Sequence, residues 1–191
     1  MHKAVFLDRD GVINYDFGYI HEISNFKFIE GSLEACKILY DMGFLIIVVT
    51  NQSGIARGFY ELDDLNNLHK YMKTVFEKQT IKIKEILYCP HHPEGKVDVF
   101  KKVCDCRKPK PGLIMKAIQK YDIDVGRSFL VGDKISDMEA ANNAKLPFAF
   151  KMGKKYNFAN TNWHTKVYQY KNLFDCVEAI KRGEFPQIFK N

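Results

Sequence analysis

The chain has 191 residues, 46% hydrophobic and 27% charged, a balance typical of a globular protein large enough to bury a core without disulfides. It excludes a collagen, a disordered tail and a disulfide-dense mini-protein. The 29 Lys and Arg outnumber the 23 Asp and Glu, a net +6, which suits an anionic small substrate or nucleic acid without choosing between them. The apolar run over residues 4–7 stops at Asp8, too short for a signal-peptide core. The longest apolar run, 44–49, falls far below the roughly 20 residues of a membrane helix. The cytoplasm is therefore the expected location, with no membrane partner. Three of the five cysteines crowd together at 89, 104 and 106, which in a reducing compartment suggests metal rather than disulfides.

Short apolar strands alternate with helical patterns, the signature of βαβ units and a parallel sheet. Residues 3–7 read as the first strand. Ser32 is placed to cap a helix through Met42, with Gly43 where a helix end favours a left-handed residue. Residues 45–49 form a fully buried strand. Leu62, Leu65, Leu68, Met72, Val75 and Phe76 fall at helical spacing over 61–78. Residues 85–88 make a third strand. The stretch 89–110 has little periodicity and calls for a staple or a function of its own. Pro111 opens a helix to about Tyr121, and 128–131 is the fourth strand. Ser136 and Glu139 form an S-x-x-E capping box for a helix through about Ala144. Strands at 147–150 and 166–168 and a helix at 173–181 complete an α/β fold, a Rossmann-like parallel sheet flanked by helices. One domain over 1–191 is expected, with no inserted second domain.

The chemistry sits at strand ends, where open α/β sheets bind ligands. The first strand ends in Asp8-Arg9-Asp10-Gly11. Two carboxylates two residues apart share a face and repel unless a cation relieves them, and Mg²⁺ is the natural hard ion for carboxylates and phosphate oxygens. A plain turn capped by Asp8 is the simpler alternative. The second strand ends in Thr50-Asn51-Gln52-Ser53-Gly54, small donors suited to phosphate or to an ordinary strand-to-helix turn. The fourth ends in Gly132-Asp133-Lys134. Asp137 follows at a helix N-terminus, where a negative charge is favourable in any case.

In the irregular stretch, Cys89-Pro90-His91 and Cys104-Asp105-Cys106 offer four ligands in two pairs, the count of a closed structural zinc site. His92 competes with His91, whose one-residue spacing lets it point with Cys89. Three buried free cysteines are the alternative. Residues 101–110 carry five Lys or Arg against one Asp. A zinc staple would present Arg107 and Lys108 over the strand ends, whereas Lys110 reads as a solvated base.

The ordered set Asp8-Arg9-Asp10-Gly11, Thr50-Asn51, Lys108 and Gly132-Asp133 to Asp137 resembles the haloacid dehalogenase superfamily of phosphohydrolases. The resemblance implies a capless fold with a zinc-stapled loop. It implies that Asp8 is the nucleophile and Asp10 the general acid and base, and that Thr50 and Lys108 hold phosphoryl oxygens. Mg²⁺ would sit among the Asp8 carboxylate, the Asp10 carbonyl and Asp133, with Asp137 behind them.

Residues 18–22, 50–58, 89–93 and 104–109 narrow the resemblance. They are similar to the branch that takes the 7-phosphate from a heptose 1,7-bisphosphate in nucleotide-activated heptose synthesis for lipopolysaccharide core or surface glycans. That branch implies a small-molecule sugar bisphosphate as substrate and no nucleic acid. Asp16, Phe17, Gly18, Tyr19, Asn51, Gln52, Ser53 and Arg107 would bind the substrate, and Lys134 would reach Mg²⁺ only through its backbone oxygen. Two related phosphatases compete. Histidinol-phosphate phosphatases share the zinc loop but typically have Asp where this chain has Ser53. DNA 3′-phosphatases lack the loop. A non-catalytic zinc-stapled module would have no use for the carboxylates. A monomer is expected.

Overall fold

The computed structural model describes residues 1–159 and 161–185; the end of the expected domain, 186–191, lies outside the described residues. Six strands form one sheet: β1 (Ala4–Leu7), β2 (Leu45–Asn51), β3 (Ile83–Cys89), β4 (Phe129–Gly132), β5 (Phe148–Met152) and β6 (Lys166–Tyr170). Their order is β3-β2-β1-β4-β5-β6, and every neighbouring pair is parallel. The chain runs outward from β1 through β2 to β3, then returns to pair β4 with the other edge of β1. This reversal opens a crevice beyond the ends of β1 and β4, where doubly wound sheets bind ligands.

The four central strands, β1, β2, β4 and β5, are buried on both faces because helices cover both sides. Val5 and Leu7 pack with α1 (Ser32–Asp41), α3 (Leu62–Lys78) and α6 (Leu173–Lys181). Ala4 and Phe6 point the other way, toward α4 (Gly112–Tyr121) and α5 (Ile135–Asn143). A short helix, α2 (Gly54–Arg57), follows β2 directly and had no periodic signal of its own. Between β1 and β2 lie a flap, residues 16–21, a single 3₁₀ turn, Ile23–Asn25, and α1.

Two expected caps are corrected. Gly31, with φ of 77°, precedes α1 as its N-cap, and Ser32 is already helical. The Ser32 hydroxyl is buried and instead donates to the Ile13 carbonyl at 3.0 Å. At α5 the side chain that reaches back is Asp137, which accepts from the Lys134 N–H at 2.9 Å. The helix starts at Ile135, so Ser136 lies inside its first turn and cannot cap it. β2 and β3 also run further than their apolar runs suggested, because Thr50 and Asn51 pair with Tyr88 and Cys89.

Candidate active site

β1 delivers Asp8 to the crevice, and the Asp8 N–H still pairs with the Val131 carbonyl at 2.9 Å. The chain then turns through Gly11, whose φ is +82° and where an added Cβ would lie 2.5 Å from Asp133 Oδ2. Gly11 therefore serves twice, as a left-handed residue and as the space that lets Asp133 approach. Gly132 plays the matching part beneath Asp137, whose side chain occupies the space of its missing Cβ.

Lys108 is almost fully buried at the centre. Its ammonium faces Asp8 Oδ1 at 3.0 Å and Asp137 Oδ1 at 2.5 Å, and donates to the Val49 carbonyl at 2.8 Å. Three donors thus meet three acceptors. Burial alone would lower the Lys108 pKa, but the carboxylates of Asp137 and Asp8 overcome it and raise it. Lys108 belongs to no strand. Asn51 fixes it from β2 by a reciprocal pair, accepting from the Lys108 N–H at 3.0 Å and donating to its carbonyl at 3.1 Å.

Asp8, Asp133 and Asp137 bring carboxylate oxygens within 4.8 Å of one another. Burial, then the neighbouring charge of Asp8, pushes Asp133 up to about 7. Burial raises Asp8 as well, against the pull of Lys108. Asp133 Oδ1 is buried with no hydrogen-bond partner. An orphaned carboxylate oxygen beside two further carboxylates is what a hard divalent cation relieves.

Asp10 lies one step outward. Gln52 donates to Asp10 Oδ2 at 3.0 Å and to Thr50 Oγ1 at 2.9 Å, while its own carbonyl accepts from Tyr60 at 2.6 Å. Because Thr50 Oγ1 is an acceptor there, its hydroxyl proton is left for another oxygen. Asp10, Asp16, Tyr19, Ser53, Arg107 and Lys134 share the lining of a cavity of about 450 Å³. Its charged rim suits an anionic ligand. A larger cavity of about 820 Å³ lies against α3 and is lined by Phe59, Leu62 and Phe100; no strand-end carboxylate reaches it.

The second cluster stands beside this crevice. Cys89 closes β3, and its sulfur lies 3.5 Å from that of Cys104 and 3.0 Å from that of Cys106. Cys104 and Cys106 are 3.3 Å apart, and His91 Nδ1 lies 3.7 Å from Cys89 and 3.3 Å from Cys106. Around a tetrahedral Zn²⁺ with bonds of about 2.0–2.3 Å, the ligand atoms stand about 3.5–3.8 Å from one another, and the observed separations approach those edges. The choice between the two histidines is also visible. His92 turns away, its ring nitrogens lying 3.0 Å from Arg57 and 3.1 Å from the Glu94 N–H.

A family model described as HAD-hydrolase-like matches residues 105–157. D-glycero-beta-D-manno-heptose-1,7-bisphosphate 7-phosphatase of Escherichia coli K12 is 43% identical over 185 residues, 96% of each chain. The chain belongs to the haloacid dehalogenase-like phosphatases. The Haemophilus influenzae protein of the same name is 49% identical over 146 residues, 76% of this chain and 79% of that one. Among solved structures, the D,D-heptose 1,7-bisphosphate phosphatase of B. bronchiseptica, complexed with magnesium and phosphate, superposes with a TM-score of 0.81 at 28% identity. It covers 95% of this chain and 99% of that one.

In this phosphatase the residues expected at the site gather around one crevice, with one exception. Phe17 is 63% exposed, stacks on Tyr15 with ring centroids 5.9 Å apart and lies outside the cavity. Asn51 and Gln52 line the same cavity, and their amides also engage Lys108, Asp10, Thr50 and Tyr60. The Lys134 ammonium pairs with Asp16 of the flap at 3.1 Å and also feels the charge of Asp133. Tyr60, Asn14 and Arg9 escaped the sequence reading. The first two carry no motif, and Arg9 stood only as the residue between the two aspartates of the strand-end motif.

Proposed function

We propose that this phosphatase removes the 7-phosphate of D-glycero-β-D-manno-heptose 1,7-bisphosphate, a step in nucleotide-activated heptose synthesis for lipopolysaccharide core or surface glycans. The observation that carries the reading is the 43% identity to the Escherichia coli enzyme over 96% of both chains. No helix among the described residues is long and apolar enough to cross a membrane. In this reading the enzyme is a cytoplasmic monomer acting on a small sugar phosphate, not on nucleic acid.

The residues divide the work as follows. An Asp8 carboxylate oxygen attacks phosphorus, the bond from phosphorus to the sugar oxygen breaks, and Asp10 gives that oxygen its proton. The Asp10 carboxylate then takes a proton from the water that attacks the aspartyl phosphate, freeing phosphate and Asp8. Lys108 and the Thr50 hydroxyl hold the phosphoryl oxygens. The Asp8 and Asp133 carboxylates, with the Asp10 and Lys134 backbone oxygens, would hold Mg²⁺, and the orphaned Asp133 oxygen supports that fit. Bound there, the ion would offset the negative charge of phosphoryl group and nucleophile as they meet. Asp137 positions the Lys108 ammonium. Cys89, His91, Cys104 and Cys106 would hold a structural Zn²⁺ that fixes Arg107 and Lys108.

Steady-state kinetics on both anomers of the bisphosphate, histidinol phosphate and 3′-phosphorylated DNA test the substrate. The β anomer is expected to give the highest kcat/KM, and a higher value for any of the others would overturn the assignment. Arg107, which lines the cavity with a planar fork suited to the distal phosphate, gives a sharper check. Arg107→Ala is expected to lower kcat/KM for the bisphosphate about 10²-fold, a loss of roughly 3 kcal/mol. A small phosphate ester that never reaches Arg107 should lose far less. Equal losses would assign Arg107 to the chemistry or to the loop.

A further inference from the structure

Arg9 has no part in the mechanism above, yet it is the largest fully buried side chain among the described residues, at 0% exposure. A buried guanidinium is tolerated only where partners surround it, and those of Arg9 are specific. Nε donates to Asp10 Oδ1 at 3.1 Å, and Nη2 reaches both Asp10 oxygens at 2.9 Å. Nη2 also donates to the Ile20 carbonyl in the flap at 2.7 Å. Nη1 faces His69 Nε2 of α3 at 3.4 Å. Burial, with the charges of Arg9 and Lys73, pushes His69 down to about 3, so the ring is neutral and can accept. The turn after Asp8 makes the Arg9–Asp10 contact possible, because the Arg9 carbonyl accepts from the N–H groups of Val12, Ile13 and Asn14.

Asn14 adds a donor to Asp10 Oδ1 at 2.9 Å, and Gln52 one to Oδ2 at 3.0 Å. Each of these amides meets one oxygen. Only Arg9 spans both, and a planar fork on both oxygens fixes the plane of the carboxylate as well as its place. We propose that Arg9 is a positioning residue for proton transfer: it aims the Asp10 carboxyl at the leaving oxygen and ties that aim to the flap through Ile20. The proposal rests on Asp10 being the acid of the mechanism above.

The test exploits the leaving group. The parameter kcat/KM reports the steps up to the aspartyl phosphate. A sugar alkoxide needs a proton to leave, whereas p-nitrophenolate departs without one. Arg9→Lys, which keeps the charge and loses the fork, and Arg9→Gln are compared with Asp10→Asn on heptose bisphosphate and p-nitrophenyl phosphate. The readout is the ratio of the two kcat/KM values for one preparation, so any unfolded fraction cancels. Asp10→Asn and both Arg9 variants are expected to lose about 10²-fold on the sugar ester and less than about 5-fold on the aryl ester. If Asp10→Asn discriminates between the esters and the Arg9 variants do not, Arg9 only supports the fold and the proposal falls. If Asp10→Asn loses equally on both, the acid assignment itself fails and takes the proposal with it.

Discussion

Asp8→Asn is expected to lose at least roughly 10⁴-fold in kcat while remaining folded. The amide is isosteric but cannot form the acyl phosphate. The fold should tolerate the change because Asp8 is held against an unfavourable environment: burial raises its pKa, and Asp137 raises it further. Neutralising it relieves crowding among three carboxylates, and Lys108 keeps Asp137 and the Val49 carbonyl as partners. The melting temperature should therefore stay within a few degrees of wild type, a change of about 1 kcal/mol or less. Single-turnover assays on protein free of wild-type contamination check the rate. Near-normal turnover would mean that another group attacks phosphorus.

Loss of the cysteine cluster should damage stability and activity together. Elemental analysis of protein purified without chelator is expected to find about one Zn²⁺ per chain. Cys106→Ser should abolish that zinc and lower the melting temperature by about 10 °C, roughly 3–4 kcal/mol for a domain of this size. The kcat/KM should fall at least about tenfold, because Arg107 and Lys108 follow Cys106 directly and lose their fixed approach. A zinc-free protein with wild-type melting and activity would show that the sulfurs merely pack.

The fold was legible because β1, β2 and β4 are apolar runs that end in polar motifs. Asp8, Thr50 and Asp133 sit where such runs stop, and sheet topology alone gathers strand ends. The cluster of Cys89, His91, Cys104 and Cys106 was legible from spacing, since two pairs with one residue between their members leave few other uses. The polar network was not legible. Arg9 meets His69 across 60 positions, and Asn51 meets Lys108 across 57. Side-chain hydrogen bonds of that reach have no periodicity. The same gap hides the further partners that the Asn51 and Gln52 amides find at Lys108, Asp10 and Tyr60. The cap at Ser32 failed for a related reason: a buried hydroxyl bonds to whatever carbonyl the tertiary structure supplies, here that of Ile13.

The double amide clasp between Asn51 and Lys108 has a practical consequence for protein engineering. It anchors the far end of the stapled loop to the sheet, and Cys89 anchors the near end from within β3. Residues 101–103 run exposed between these anchors and contribute nothing to the crevice lining. Chain added or exchanged there lengthens a closed loop, and each doubling costs only about 0.6 kcal/mol. The segment is thus a natural grafting port, where a new recognition element could be installed beside the crevice while the reacting groups keep their geometry.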